Sequence, residues 1–444
     1  MAPAKDVIIE IHKAYRILYR CHETSRGLKC EQGRKAMKQA ENEMLTRVGK
    51  GTPAGELLRR YWHPVCVAGE LTDENPIKRV LILGEYLVAF RLPLTKGETT
   101  HRYGLVAEQC SHRSASLAYG RVEEDGIRCP YHGWKYGLDG TCLETPPEPK
   151  EWAYKNEIKH VGYPVEKLGG LLWTYMGPQP VPLLPRWDCL AREDGKRIIS
   201  VESILDCNWL QPMENSVDPS HLYWLHGYRY GSGHLVDPVE KQKREAQYQE
   251  KLEFIPFEYG IMKRRITPNG TDEHPLIFPC SLRHVSGERG KANPLYRHNL
   301  QIRVPMDDTH TRVYRVNFIP TATDRSPADA DAPWELRPLK FIDEAEGGRE
   351  LPMDIPMTKY DTTIVGAQDS MAWETQGPIT DRTKEHLGHA DKGIVMFRRL
   401  LREQIEIVQK GGEPMGVIRD PAKNKIIDIP VINERIGLVR QAAE

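Results

Sequence analysis

Two short segments of the 444-residue chain place thiols and imidazoles side by side. Cys110-Ser111-His112 is followed, after sixteen intervening residues, by Cys129-Pro130-Tyr131-His132-Gly133-Trp134. Each segment supplies one cysteine and one histidine. That set suits a [2Fe-2S] cluster in which both cysteines hold one iron and both histidines hold the other. Neutral imidazole in place of thiolate removes negative charge and raises the potential into a range of about −150 to +300 mV, fit for passing single electrons. A closed Cys2His2 zinc site is the alternative for the same four residues. Zinc fingers, however, usually group cysteine with cysteine and histidine with histidine.

A second constellation lies downstream, in the run Asn215-Ser216-Val217-Asp218-Pro219-Ser220-His221 and then His226. Two imidazoles plus one carboxylate form the facial triad of non-haem Fe(II) sites, which keeps positions open for O2. A spacing of five turns the two histidines about 140° apart on a regular helix. A distorted helix or a π-bulge is therefore expected where the rings meet. The plainer readings are a pair of core histidines and, for Asp218-Pro219-Ser220, an ordinary turn or cap. The third ligand must come from elsewhere, and within residues 368–382 composition does not choose among Asp369, Glu374 and Asp381. Asp381-Arg382 reads equally well as a surface or interface ion pair.

These stretches resemble the Rieske non-haem iron ring-hydroxylating oxygenases, and within them the oxygenase (alpha) component of the phthalate 4,5-dioxygenase group, over roughly residues 44–444. Respiratory Rieske proteins carry an extra cysteine in each cluster loop, and these pair as a disulfide. Ala115 and Tyr131 stand in those places here, which points to the oxygenase branch. The downstream run is similar to the family's Asn-x-x-Asp-x-x-His-x4-His pattern. The resemblance implies one Rieske [2Fe-2S] cluster on Cys110, His112, Cys129 and His132, and one mononuclear Fe(II) on His221, His226 and Asp369. It implies that Asp218 bridges this iron to a cluster histidine, His112 or His132, of a neighbouring subunit, and that Asn215 lies near the iron without ligating it. It further implies a homotrimer or a hexamer of two stacked trimers, using O2 and a small aromatic substrate, often a carboxylate. Arg264 and Arg265, on a strand, are candidates for clamping that carboxylate, with surface charge as the alternative. Monohydroxylation and oxidative O- or N-demethylation occur on the same architecture, and the ligands do not discriminate among them.

No Gly-x-Gly-x-x-Gly follows a strand and no plant-type ferredoxin cysteine set is present. NAD(P)H and flavin chemistry is therefore expected on a separate flavin/iron-sulfur reductase. A pure electron carrier would need only the first constellation, and a zinc-stabilised binding module would need neither iron site.

The elements that must hold these residues follow from length and pattern. A chain of this size exceeds one ordinary core. The expected fold class is α+β: an N-terminal extension over 1–43, an all-β Rieske domain over 44–180, and a helix-grip catalytic domain over 181–444. The extension holds Ile8, Ile11, Tyr15 and Leu18 at helical spacing. Thr52 and Pro53 predict a helix N-terminus, and residues 80–83, 86–90 and 170–175 read as strands. Gly120, Gly126 and Gly133 sit where turns between short hairpins need them. Prolines at 178, 180, 182 and 185 mark the domain boundary. Residues 300–304 and 312–318 alternate as strands of a curved antiparallel sheet, while residues 321–360 predict a long excursion, a solvated loop or a lid. Ile394, Phe397, Leu401, Ile405 and Val408 predict an amphipathic scaffold helix ended by Gly411-Gly412.

Lys plus Arg and Asp plus Glu are equal at 62 each, so no global field favours nucleic acid or an acidic membrane. Nine scattered cysteines do not form a disulfide framework, and those outside the cluster read as small buried hydrophobes in a reducing cytoplasm. No apolar run reaches transmembrane length, and the N-terminus lacks a signal-peptide pattern.

Overall fold

The computed structural model describes residues 37–152, 157–226, 251–287, 296–337, 360, 364–434 and 437–438. The helix expected around Ile8 to Leu18 and much of the 321–360 excursion lie outside them. Two helices come first, α1 (Gln39–Thr46) and α2 (Pro53–Leu58). Thr52 caps α2 as its sequence predicts, its Oγ1 accepting from Gly55 N–H at 3.2 Å. The boundary drawn at residue 43 falls inside α1. Asn42 on that helix donates to the Thr380 carbonyl at 2.9 Å and accepts from Arg382 at 3.1 Å, so α1 packs with the far end of the chain.

An all-β region follows: β1 (Trp62–Val67), β2 (Ile77–Ile82), β3 (Glu85–Arg91), β4 (Tyr103–Ala107), β5 (Arg121–Val122), β6 (Ile127–Arg128), β7 (Lys135–Tyr136), β8 (Cys142–Glu144), β9 (Gly162–Tyr163), β10 (Val165–Leu168) and β11 (Leu171–Tyr175). They form three small sheets, ordered β1-β11-β10, β2-β3-β4-β9 and β5-β6-β7-β8. The two-residue period of a strand lets β3 and β4 serve two cores at once. Leu87, Ala89 and Leu105 join the main core, whereas Val88, Phe90 and Val106 pack with Ile127, Trp134, Tyr136, Cys110 and Cys129. The thiol-bearing loops thus rest on an apolar floor of their own.

The rest of the chain is a larger α+β unit: α3 (Asp188–Ala191), β12 (Gly195–Glu202), α4 (Leu210–Ser216), α5 (His221–Trp224), β13 (Lys251–Phe257), β14 (Gly260–Thr267), β15 (Gly270–Ile277), β16 (Ser281–Ser286), β17 (Arg297–Pro305), β18 (Thr311–Pro320), β19 (Trp334–Arg337), α6 (Val365–Glu374), α7 (Lys392–Gln409) and β20 (Ile432–Asn433). Its nine-stranded sheet runs β13-β14-β15-β16-β17-β18-β12-β19, with β20 paired to β15. Pairing is antiparallel except where β19 lies parallel to β12. The expected amphipathic helix is α7, which buries Phe397, Leu401, Ile405 and Val408. It stops before Gly411, whose φ of 79° suits glycine. Among the described residues no helix is long and apolar enough to cross a membrane.

Candidate metal centres and active site

Each cluster loop is a tight turn closed by its own backbone. In the first, after β4, Ser114 N–H donates to the Cys110 carbonyl at 2.8 Å and Cys110 N–H to the Ala115 carbonyl at 3.0 Å. In the second, between β6 and β7, Cys129 N–H donates to the Trp134 carbonyl at 2.8 Å and Gly133 N–H to the Cys129 carbonyl at 3.1 Å. Gly133 sits at φ 74°, a conformation that costs a side-chain-bearing residue but not glycine. Arg128 braces this loop by donating to the Gly133 carbonyl at 2.6 Å while pairing with Glu123 and Glu144.

The turns bring the His112 and His132 rings to 4.5 Å, and Trp134 stacks on His112 at 4.6 Å. Both cysteines are buried, and the Tyr136 hydroxyl lies 3.1 Å from Cys110 Sγ. Burial pushes the Cys129 thiol above its ordinary value, against the pull of backbone N–H groups at Tyr131 and His132. A thiolate there needs a cation to sustain it. His132 Nδ1 is buried without a hydrogen-bond partner. Two buried thiols beside an orphaned ring nitrogen form a donor set that fits a [2Fe-2S] cluster.

The second centre is assembled from three elements. Asp218 follows α4 and does two things: its Oδ1 accepts from Ser220 N–H at 2.8 Å, and its Oδ2 lies 3.6 Å from His221 Nδ1. The turn and the histidine contact are therefore compatible. His221 opens α5, which ends at Trp224, and His226 lies just past it, with Leu225 still in the right-handed helical region. The backbone there contains no π-helical turn. The two rings stand 5.2 Å apart, nearly perpendicular.

Asp369, on α6, completes the group, its Oδ1 lying 3.3 Å from His226 Nε2 and 4.0 Å from His221 Nε2. The three ligand atoms lie within 4.8 Å of one another. Glu374 and Asp381 are elsewhere: Glu374 accepts from Asp206 N–H at 3.0 Å, and Asp381 caps a turn by accepting from Thr383 N–H at 3.1 Å. Arg382 is not a surface partner of Asp381 but is fully buried against Glu214.

His226 Nδ1 donates to Gln368 Oε1 at 2.7 Å, which leaves Nε2 as the nitrogen presented to Asp369. Burial raises the Asp369 pKa, but the His226 ring beside it and the charges of His221, His226 and Arg315 outweigh it and hold the carboxyl below its ordinary range. Burial likewise lowers His226, and Asp369 and Gln368 more than compensate, leaving it raised. Asp369 Oδ1, facing the Nε2 atoms of both imidazoles, is buried and makes no hydrogen bond. Two imidazoles and a carboxylate converging on an unsatisfied oxygen fit a divalent cation.

These residues line a cavity of about 700 Å³ together with Asn215 and with Lys263, Arg265, Arg303 and Arg315. Arg264 does not reach it. Successive strand residues face opposite ways, so β14 turns Lys263 and Arg265 inward and Arg264 outward, onto Glu253 at 2.8 Å and Glu273 at 2.5 Å. Arg265 is itself paired with Asp272 at 2.5 Å. The adjacent arginines therefore do not clamp one ligand. Sequence reasoning missed Gln368, Lys263 and Arg303. The strand period was the signal that would have favoured Lys263 with Arg265 over Arg264 with Arg265.

The chain matches the Rieske [2Fe-2S] domain over residues 61–166 and the "LigXa C-terminal domain like" family over residues 357–432. It is 36% identical to the 5,5'-dehydrodivanillate O-demethylase oxygenase subunit of Sphingobium sp. (strain NBRC 103272 / SYK-6), covering 91% of this chain and 89% of that one. It is 31% identical to the phthalate 4,5-dioxygenase oxygenase subunit of Pseudomonas putida, covering 88% of this chain and 91% of that one. The solved structure of Pseudomonas putida CBB5 NdmA shares the fold at a TM-score of 0.58 and 22% identity, covering 81% of this chain and 93% of that one. Likeness of that degree along nearly the whole length places this protein among the Rieske non-haem iron oxygenases, as an oxygenase subunit that uses a [2Fe-2S] cluster and a mononuclear iron.

Proposed function

We propose that the chain is the terminal oxygenase for a small aromatic carboxylate, which it hydroxylates with O2 and electrons from an NAD(P)H-dependent flavin/iron-sulfur reductase. The observation that carries this reading is the convergence of His221, His226 and Asp369 on a cavity whose wall is cationic. In this reading Cys110, Cys129, His112 and His132 hold the cluster, and His221, His226 and Asp369 hold the iron. When bound, the cluster supplies single electrons and the iron supplies open coordination positions for O2.

The chain's own residues do the positioning. Gln368 and Asp218 fix the two imidazoles from behind, a role usually worth about 10- to 100-fold in affinity or activity. In this reading Asp218 also bridges to a cluster histidine of a neighbouring subunit, in a trimer or a hexamer of stacked trimers. Asn215 borders the iron position without joining its ligands. Leu222, Leu282, Val285, Ile364 and Val365 give the cavity apolar surface for a ring.

Oxidative O-demethylation of an aromatic methyl ether is a second reading, favoured by the 36% identity to an O-demethylase oxygenase subunit. The test is turnover by iron-loaded protein with a surrogate reductase on benzoates with and without a methoxy group, scoring product per O2 consumed. Ring-hydroxylated product supports the first reading and formaldehyde the second. O2 uptake without product from any aromatic carboxylate overturns both.

A further inference from the structure

Most cations around the cavity have an acidic partner. Arg265 pairs with Asp272, Arg315 with Glu202 and Arg337 with Glu335. Two do not. Lys263 on β14 is 4% exposed and Arg303 on β17 is 2% exposed, and among the described residues neither forms an ion pair. Arg303 donates only to neutral acceptors, Ser216 Oγ, Gln301 Oε1 and Met213 Sδ, and its Nε has no partner. The Lys263 ammonium has no hydrogen-bond acceptor among the described residues, and its ladder neighbour is His274. His274 and His284, 6.0 Å apart, line the same stretch of wall. His284 accepts from Gln301 at 2.7 Å, and burial holds it neutral, so it cannot offset a positive charge.

A buried cation without a counter-charge is costly. Asp218 and Asp272 act on Lys263 from a distance, but both are engaged elsewhere, with His221 and Arg265. Filling the neighbouring centre with a divalent cation makes the cavity more positive still. An anion entering the cavity relieves this. A carboxylate arrives already charged at neutral pH, whereas a phenol, with a pKa of about 10, does not.

We infer that Lys263, with Arg303 beside it in the cavity, is the residue that receives the substrate's carboxylate and selects an acid over its neutral ester. This assignment rests on the oxygenase reading and names the group that sets its substrate class.

The test is direct binding, which needs no turnover. Calorimetry on the wild type, Lys263→Met and Lys263→Arg would use benzoate, phthalate and 4-hydroxy-3-methoxybenzoate, each beside its methyl ester. The wild type is expected to prefer at least one acid over its ester. Lys263→Met should weaken that acid by about 10- to 100-fold, the value of a charged hydrogen bond, and leave the ester unchanged. Lys263→Arg should retain the preference. Methionine keeps the apolar stem of lysine, and iron content and the cluster's visible spectrum measured on the same samples report folding. Equal binding of acids by wild type and Lys263→Met overturns the inference, as does a wild type that binds esters as well as acids or binds no acid. A wild type that takes up no mononuclear iron defeats the oxygenase reading instead, and that result is read separately from acid-over-ester preference.

Discussion

A lysine buried in a cavity wall loses hydration that it keeps in the unfolded chain. Burial pushes the Lys263 amine down from its ordinary 10.5 to about 8, helped by Arg265 and Arg303 and opposed by Asp272 and Asp218. Between these values the unfolded chain binds the extra proton and the folded chain does not, so this group's contribution to stability rises with pH across that window. Below about pH 8 the cost is present in full, on the order of 3 kcal/mol. Lys263→Met is therefore expected to raise the thermal midpoint of the ligand-free protein at pH 7 and to lose much of that advantage by pH 10. Thermal unfolding at the two pH values measures this, and an unchanged or lowered midpoint at pH 7 refutes it. A residue that weakens the fold while facing the cavity is what a binding role leaves behind.

At the scale of elements, the short helix α4 is held by a charge cluster rather than by its length. Glu214 is buried between Arg382, at 2.8 Å, and Arg398 of α7, at 2.6 Å. Arg398 also reaches Glu385, and Arg382 reaches Asn42 of α1. Burial raises the Glu214 carboxyl, but both guanidinium groups outweigh it and keep the group below its ordinary value. α7, read from the sequence as scaffold, is thus the scaffold of a particular element, the one that leads into Asn215 and Asp218. Removing one member of a buried charge set leaves the others uncompensated. Glu214→Ala should destabilise by about 3–5 kcal/mol, with a smaller loss for Glu214→Gln, as measured by denaturant unfolding. A change under about 1 kcal/mol would show that the cluster is solvated in solution.

For the molecule as a whole, equal totals of acidic and basic residues conceal an uneven distribution. Among the described residues, the lining of one cavity holds Lys263, Arg265, Arg303, Arg315 and Arg337, with Glu202 and Asp369 as its carboxylates. The proposed bridge through Asp218 makes each cluster serve a neighbour's iron. Chains carrying Cys129→Ser should be inactive alone, as should chains carrying His221→Ala. Co-produced mixed oligomers should regain a readily measured fraction of turnover, because a chain that keeps its cluster adjoins one that keeps its iron ligands. Mixed oligomers with no more activity than either parent would reject transfer between subunits.

The cluster loops are legible in the chain alone, because Cys110 with His112 and Cys129 with His132 are brought together within single tight turns that backbone hydrogen bonds close locally. The helices α2 and α7 are legible for the same reason, since a Thr-Pro start and a helical stripe ended by glycine are read within a few residues. The third carboxylate was not of that kind. Asp369, Glu374 and Asp381 are alike until the packing of α6 turns the first toward His221 and His226 and the others away. Nor did the chain say which face of β14 lines the cavity, so Arg264 was indistinguishable from Lys263 until the neighbouring strands and the helices above them were in place. Contacts within a turn follow from local chain geometry, whereas contacts between distant elements depend on which faces the whole core buries, and that is set when the elements pack.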